Sequence, residues 1–164
     1  MRKRKQRDII HRWEGNPAIT LEDLPFKASD ICNAGAVEIS GKTILLLTVE
    51  TLSGHKALYL AESHDGREFT IEETPFLERS NESGYRKYEQ ISVMDPRITR
   101  FDNTYCISYV ADSRHGFRIG LARTRDFRSV ERMGFVSEPD TKGGALFPEK
   151  INGRYARLER PRDG

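Results

Sequence analysis

The chain repeats itself, and the period of the repeat limits its fold more than any other feature. The segment Asn33-Ala-Gly-Ala-Val-Glu-Ile39, a turn at Ser40-Gly41-Lys42 and an apolar run over 43–50 come first. They return as Asp95-Pro-Arg-Ile-Thr-Arg-Phe101, a turn at Asp102-Asn103 and a run over 104–111, displaced by 62 residues. Further on, Leu58-Tyr-Leu-Ala-Glu-Ser-His-Asp-Gly-Arg-Glu-Phe69 matches Ile119-Gly-Leu-Ala-Arg-Thr-Arg-Asp-Phe-Arg-Ser-Val130 at an offset of 61. Self-similarity at a long fixed period marks architectures made of stacked units, each burying its faces against its neighbours. The runs at 36–39, 43–49, 57–61, 105–110 and 118–122 are short, β-branched or aromatic, and bounded by Gly, Asp, Asn or Pro, as strands are. No segment keeps an apolar period of 3.6 over three turns, and only 20–24 has room for one helical turn, so the expected fold is all-β.

A repeat of this length holding four antiparallel strands reads as a propeller blade, whose first strand lines a central channel. A third unit begins at Leu146-Phe-Pro-Glu-Lys-Ile151, turns at Asn152-Gly153 and enters a strand over 154–158. With 164 residues the chain is expected to carry about two and a half blades of a fold that usually has four to eight. Residues 1–15 then form a basic tail and lead-in, and 16–164 a partial propeller ending inside its third blade.

Composition removes several function classes. Twenty-seven Lys and Arg against 25 Asp and Glu leave a formal charge of +2, too small a global field to recommend nucleic acid or an acidic membrane as partner. The local exception, Arg-Lys-Arg-Lys-Gln-Arg at 2–7, reads as a solvated tail or as a contact for an anionic partner. The next residues, Asp8-Ile9-Ile10-His11-Arg12, form no apolar stretch, so no secretory leader is expected. The aliphatic run at 44–47 is far shorter than the roughly 18 residues a membrane crossing takes. Cys32 and Cys106 lie far apart without Cys-x-x-Cys spacing and read as buried free thiols in a reducing cytoplasm.

The common catalytic signatures are absent: no Gly-x-Ser-x-Gly, no His-Glu-x-x-His, no phosphate loop and no zinc spacing. His11, His55, His64 and His115 fall in polar surroundings and read as surface side chains, with no metal site among them. Asp95-Pro96-Arg97 opens the inner strand of the second blade, where channel-facing groups converge. Asp before Pro is an ordinary turn starter; with Glu89 and Arg97 close in sequence it is also a carboxyl whose protonation can be tuned. Glu50, at the end of the second strand, is either a rim ion-pair partner or a ligand group. Lys142-Gly143-Gly144 and Arg160 suit an oxyanion, because Arg forks and exposed amides match its oxygens; the same residues also read as a flexible loop with a solvated lysine. Asp65-Gly66 reads as a hairpin turn.

Taken together, several motifs are similar to those of glycoside hydrolase family 130: Asn16-Pro17, Asn33-Ala34-Gly35, and the run from Tyr88-Glu89 through Ser-Val-Met-Asp95-Pro96-Arg97-Ile98-Thr99. Thr124-x-Asp126-Phe127, Leu146-Phe-Pro-Glu-Lys-Ile151 and Arg160-Pro161 extend the likeness over roughly 12–162. The resemblance implies a five-bladed β-propeller that cleaves a β-1,4-mannosidic bond with inorganic phosphate, inverting the anomeric centre to release α-mannose 1-phosphate. It implies Asp95 as general acid, acting through the mannose 3-hydroxyl. Lys142 and Arg160 are implied as phosphate ligands, with Asn33, Glu50 and Arg97 near the sugar. No cofactor is implied, phosphate being a co-substrate in place of the water-activating carboxylate of ordinary glycosidases.

Three positions depart from the family pattern. Thr48 stands where Arg is usual before Val-Glu, Met94 replaces Glu or Tyr before the acid, and Gly143 replaces an acidic residue. The missing arginine removes a charged contact near sugar or phosphate. A β-mannosidase using water, and a carbohydrate-binding half-propeller without activity, are the competing readings; family hydrolases lack the phosphate cations that Lys142 and Arg160 supply. A homo-oligomer or a complementing chain would supply further blades.

Overall fold

Residues 12–162 are described by the computed structural model; the basic run at 2–7 and His11 lie outside the described residues. Two four-stranded antiparallel sheets succeed one another along the chain, each in plain up-and-down order. The first comprises β1 (Ala28–Ile39), β2 (Lys42–Thr51), β3 (Lys56–Ser63) and β4 (Thr70–Leu77). The second comprises β5 (Ser92–Phe101), β6 (Thr104–Ser113), β7 (Gly116–Thr124) and β8 (Glu131–Phe135). A two-stranded sheet of β9 (Thr141–Leu146) and β10 (Arg157–Pro161) comes last. These are two complete blades and the two inner strands of a third, as the repeat predicts. Among the described residues no helix is long and apolar enough to cross a membrane.

Alternation explains why the blades stack. Successive side chains of a strand point to opposite faces, and in β2 and β3 both sets are apolar, so both faces of the first blade must be covered. Ile44, Leu46, Leu58 and Leu60 face the second blade and pack with Val93, Tyr105, Ile107, Tyr109, Ala111 and Phe127 in one buried cluster. Leu47, Val49, Ala57, Tyr59 and Ala61 face the other way and are covered by the lead-in through Leu24, Ile19 and Phe26. The expected helical turn in that lead-in is a 3₁₀ turn at Leu21–Asp23, started by a capping box in which the Thr20 hydroxyl and the Asp23 carboxylate each bond the other's backbone end.

The copies agree down to their turns. After β3 the Ser63 hydroxyl accepts the Gly66 N–H at 2.8 Å, and Asp65 Oδ1 accepts those of Arg67 and Glu68 at 2.9 and 3.0 Å. After β7 the Thr124 hydroxyl accepts the Phe127 N–H at 3.0 Å, and Asp126 Oδ1 those of Arg128 and Ser129 at 2.9 and 3.1 Å. Asp65-Gly66 therefore sits in a six-residue connection ordered by a carboxylate rather than in a minimal two-residue turn.

Three expectations need correction. The third unit begins at β9, ahead of Leu146, so Lys142-Gly143-Gly144 lies inside an inner strand rather than in a loop before it. Lys-Gly-Gly is a poor strand sequence on propensity alone. It is held by pairing with β10 and by Ser108 Oγ, which donates to the Gly144 carbonyl at 2.6 Å. The cysteines are free but only half-buried. His55 is not a solvated surface histidine: half-buried, its ring Nδ1 lies 2.9 Å from the Ile91 carbonyl, joining the first blade to the lead into the second.

Candidate active site at the inner-strand bulges

Each inner strand is interrupted at an equivalent place. In β1 the register against β2 shifts between Cys32 and Gly35; in β5 it shifts against β6 between Met94 and Arg97; in β9 it shifts against β10 between Thr141 and Gly144. A bulge takes residues out of the ladder and re-aims their side chains, which is why bulges gather at sites. The residues presented first by the three bulges are Asn33, Asp95 and Lys142, three of the positions singled out from the sequence. Asn33 and Asp95 take φ of 39° and 54°, and in the third bulge Gly143 takes the left-handed conformation at 77°. Such φ values are costly for Asn and Asp and almost free for glycine.

The first two bulges touch. Asn33 Nδ2 donates to Asp95 Oδ1 at 2.6 Å, across 62 residues, the repeat distance itself. Their strands come this close because residue 35 is glycine: a Cβ there would stand 2.8 Å from the Pro96 carbonyl oxygen. Arg97 is exposed and donates through Nη1 to that same oxygen at 2.8 Å, so its guanidinium folds back over the bulge. Beneath both residues the fully buried Thr48 hydroxyl accepts the Asp95 N–H at 3.0 Å and donates to the Asn33 carbonyl at 3.2 Å. Thr48 thus bridges two strands at the position where the family pattern has its arginine.

Charges surround this pair. Glu50 makes an ion pair with Lys56 at 3.1 Å, which raises the affinity of the lysine for its proton. Burial pushes the Cys32 thiol up, partly offset by Lys56, while Asp30, Asp95 and Glu50 add to the rise; one half-buried residue thus feels charges from three strands of the first blade and from the second. Asp112, which the repeat pairs with Glu50 at 62 residues, was not singled out from the sequence. Its carboxyl is pushed up by burial and drawn back by Lys142 and by Lys56, so it feels charges from β9 on one side and from β3 on the other. The repeat offset from Glu50 was the available signal for it.

On the third strand pair the Lys142 ammonium lies 4.9 Å from the Phe117 ring, and the Arg162 guanidinium 5.3 Å from the same ring. Arg160 Nε donates to the Lys142 carbonyl at 3.4 Å and its side chain is exposed. Three cations therefore gather at one end of β9 and β10, an arrangement suited to an oxyanion.

Glu89 is not part of this cluster. It is fully buried, accepts the Tyr109 hydroxyl at 2.6 Å and the Ser80 N–H at 3.0 Å, and pairs with Arg132 at 3.0 Å. Its role is to tie the connection between the blades, and proximity in sequence to Asp95 misled. Among the described residues no group of three or more His, Cys, Asp or Glu is placed to hold a metal ion.

Comparison with known proteins adds a family. A family model described as beta-1,4-mannooligosaccharide phosphorylase matches residues 1–163. The chain is 39% identical over 102 residues to a beta-1,2-mannobiose phosphorylase of Listeria innocua, covering 62% of this chain and 27% of that protein. It is 27% identical over 163 residues to a beta-1,4-mannooligosaccharide phosphorylase of Ruminococcus albus, covering 96% of this chain and 48% of that one. A solved structure of the Listeria innocua beta-1,2-mannobiose phosphorylase with beta-1,2-mannobiose superposes with a TM-score of 0.80 at 26% identity, over 93% of this chain and 58% of the other. The chain thus spans about half or less of the length of the curated relatives, and its neighbours in the family are five-bladed propellers.

Proposed function

Since the match over residues 1–163 shows that the chain belongs to glycoside hydrolase family 130, we propose that it forms the acid and phosphate walls of a mannoside phosphorylase site. The observation that carries this reading is the contact of Asn33 with Asp95 at the meeting of two bulged inner strands, with Lys142 at the equivalent bulge of the third. Asp95 is the general acid. An oxygen of inorganic phosphate bonds to the anomeric carbon of the mannosyl unit, the bond from that carbon to the leaving sugar's oxygen breaks, and that oxygen takes the proton of the mannose 3-hydroxyl, which is replaced by the proton of Asp95. Phosphate arrives as hydrogen phosphate, and its proton restores the acid. Lys142 and Arg160 hold the phosphate, and Asn33, Glu50 and Arg97 border the sugar. One catalytic carboxylate suffices because the nucleophile needs no base, unlike the water of an inverting hydrolase.

The partners of this reading are a β-mannoside and phosphate, with no cofactor. The rest of a five-bladed channel lies outside these residues. Two free thiols support a reducing compartment, the cytoplasm. For the linkage, the family description favours β-1,4, while the 39% identity to a beta-1,2-mannobiose phosphorylase favours β-1,2.

The test mixes the chain with β-1,4- or β-1,2-mannobiose and inorganic phosphate and monitors both products. α-Mannose 1-phosphate from one of them, dependent on phosphate, is expected. Free mannose at the same rate without phosphate would make it a hydrolase, and no product from a folded sample would reduce it to a binding module.

A further inference from the structure

A bulge solves one problem and makes another. It turns a side chain into the channel, but it also withdraws backbone groups from the ladder, and a buried N–H or carbonyl without a partner is costly. Here two bulges abut, and the groups that need partners include the Asp95 N–H and the Asn33 carbonyl. A single hydroxyl serves both. Thr48 Oγ1 accepts from Asp95 N at 3.0 Å and donates to Asn33 O at 3.2 Å, with no exposure to solvent. The Asn33 side chain then closes the ring by donating to Asp95 Oδ1 at 2.6 Å. A threonine hydroxyl has one proton to give and lone pairs to receive, so this pattern uses its donor and an acceptor position.

Nothing comparable exists at the repeat's other copy. The equivalent of Thr48 in β6 is Val110, which is fully buried in an apolar cluster with Met94 and Ile119. The second blade meets β9 instead through Ser108 and Thr99, whose hydroxyls donate to the Gly144 and Leu146 carbonyls. The hydroxyl at 48 is thus peculiar to the interface that carries Asp95, where two non-glycine residues hold positive φ side by side.

We propose that Thr48 is the positioning residue of Asp95: its buried hydroxyl fixes both bulges in their left-handed conformations and so holds the Asp95 carboxyl on Asn33, facing the channel. This rests on the reading of Asp95 as the acid, but its structural half stands apart from activity. Thr48→Val keeps the branched shape and removes the hydroxyl; Thr48→Ser keeps the hydroxyl.

The test is amide hydrogen exchange by NMR on the whole chain, paired with phosphorolysis kinetics. In Thr48→Val the Asp95 amide should exchange about tenfold faster or more, the equivalent of one lost hydrogen bond, while Leu58 and Ile107 amides keep their rates; Thr48→Ser should restore protection. The kcat should fall about tenfold or more in Thr48→Val, with the mannoside KM within about twofold, and recover in Thr48→Ser. An Asp95 amide as protected in Thr48→Val as in the parent overturns the proposal, as does an unchanged kcat. If Thr48→Val does not fold, the parent decides: an Asp95 amide exchanging as fast as a free one overturns it, and a strongly protected amide in both parent and Thr48→Ser upholds it. If the parent yields no mannose 1-phosphate, the functional reading fails while the exchange measurement still decides the positioning.

Discussion

The second blade has two faces, and they are finished differently. One, through Tyr105, Ile107, Tyr109 and Ala111, closes on the first blade in a buried apolar cluster. The other, through Cys106, Leu121 and Arg123, opens onto a groove of about 880 Å³ shared with Phe101, Met133, Leu146 and Tyr155. Met133 and Tyr155 there are 50% and 64% exposed. The closed interface carries Asn33, Thr48 and Asp95 at its inner edge; Lys142 and Arg160 lie on the third strand pair, outside the lining of the groove. Asp95 thus rests on a buried hydroxyl, whereas the Arg160 side chain is exposed. Substitutions at the closed face should damage folding more than those at the groove.

The largest difference is expected between two arginines. Arg132 neutralises the fully buried Glu89 beside the closed face, whereas Arg123 pairs with Glu131 in solvent at 2.8 Å. Arg132→Met should cost about 3–5 kcal/mol in denaturant unfolding, because it strands a buried charge, and Arg123→Met under about 1 kcal/mol. Tyr109 does not relieve the loss: burial, then the carboxylate of Glu89, pushes its phenol far up, so it remains a neutral donor. Equal costs would mean that the two faces are not energetically distinct. Next comes packing. Ile107→Ala, from a fully buried site, should cost about 2–5 kcal/mol, and Leu121→Ala, half-buried at the groove, clearly less.

Smaller still is the functional split. Lys142→Ala should raise the phosphate KM about tenfold or more, as loss of one charge-assisted contact of about 1.5–3 kcal/mol would, without shifting the melting temperature. A melting temperature that falls with it would place Lys142 in the frame instead.

The smallest effect concerns pH and should be alike in both blades. The Glu68 and Arg67 amides, with the Ser63 hydroxyl, pull the Asp65 carboxyl down to about 2, and the Arg128 and Ser129 amides lower Asp126 in the same way. A depressed carboxyl stabilises the fold above its unfolded value near 3.8 and loses that contribution as pH falls from there through about 2. Carboxyl carbon titration should show both midpoints depressed; an ordinary midpoint at either would break the likeness of the two turns.

Much of this was legible because period 2 and period 62 are both properties of the string. The blades and their order come from them; that position 33 touches position 95 is shown only by the fold. What the string hid was burial of polar groups. Thr48 reads as one more β-branched strand residue, and only its mismatch with Val110 in the repeat marks it. Glu89 reads as a neighbour of Asp95 because a sequence shows distance along the chain, whereas the turn at Ser83–Arg86 and the loops around it carry that side chain under Tyr109 instead. Lys142 was found but misplaced, since glycines disguise a strand that is held by its partners.

We propose that the frame between the first two blades exists to hold one acid, Asp95. This is tested most directly by Asp95→Asn, compared with the parent in phosphate-dependent release of α-mannose 1-phosphate at equal melting temperature. Asparagine keeps the shape and the backbone bond to Thr48 but has no proton of the right acidity to give. The expected result is a loss of about a hundredfold or more in kcat, the scale of removing a general acid. Product formed at the parental rate by Asp95→Asn would contradict the account.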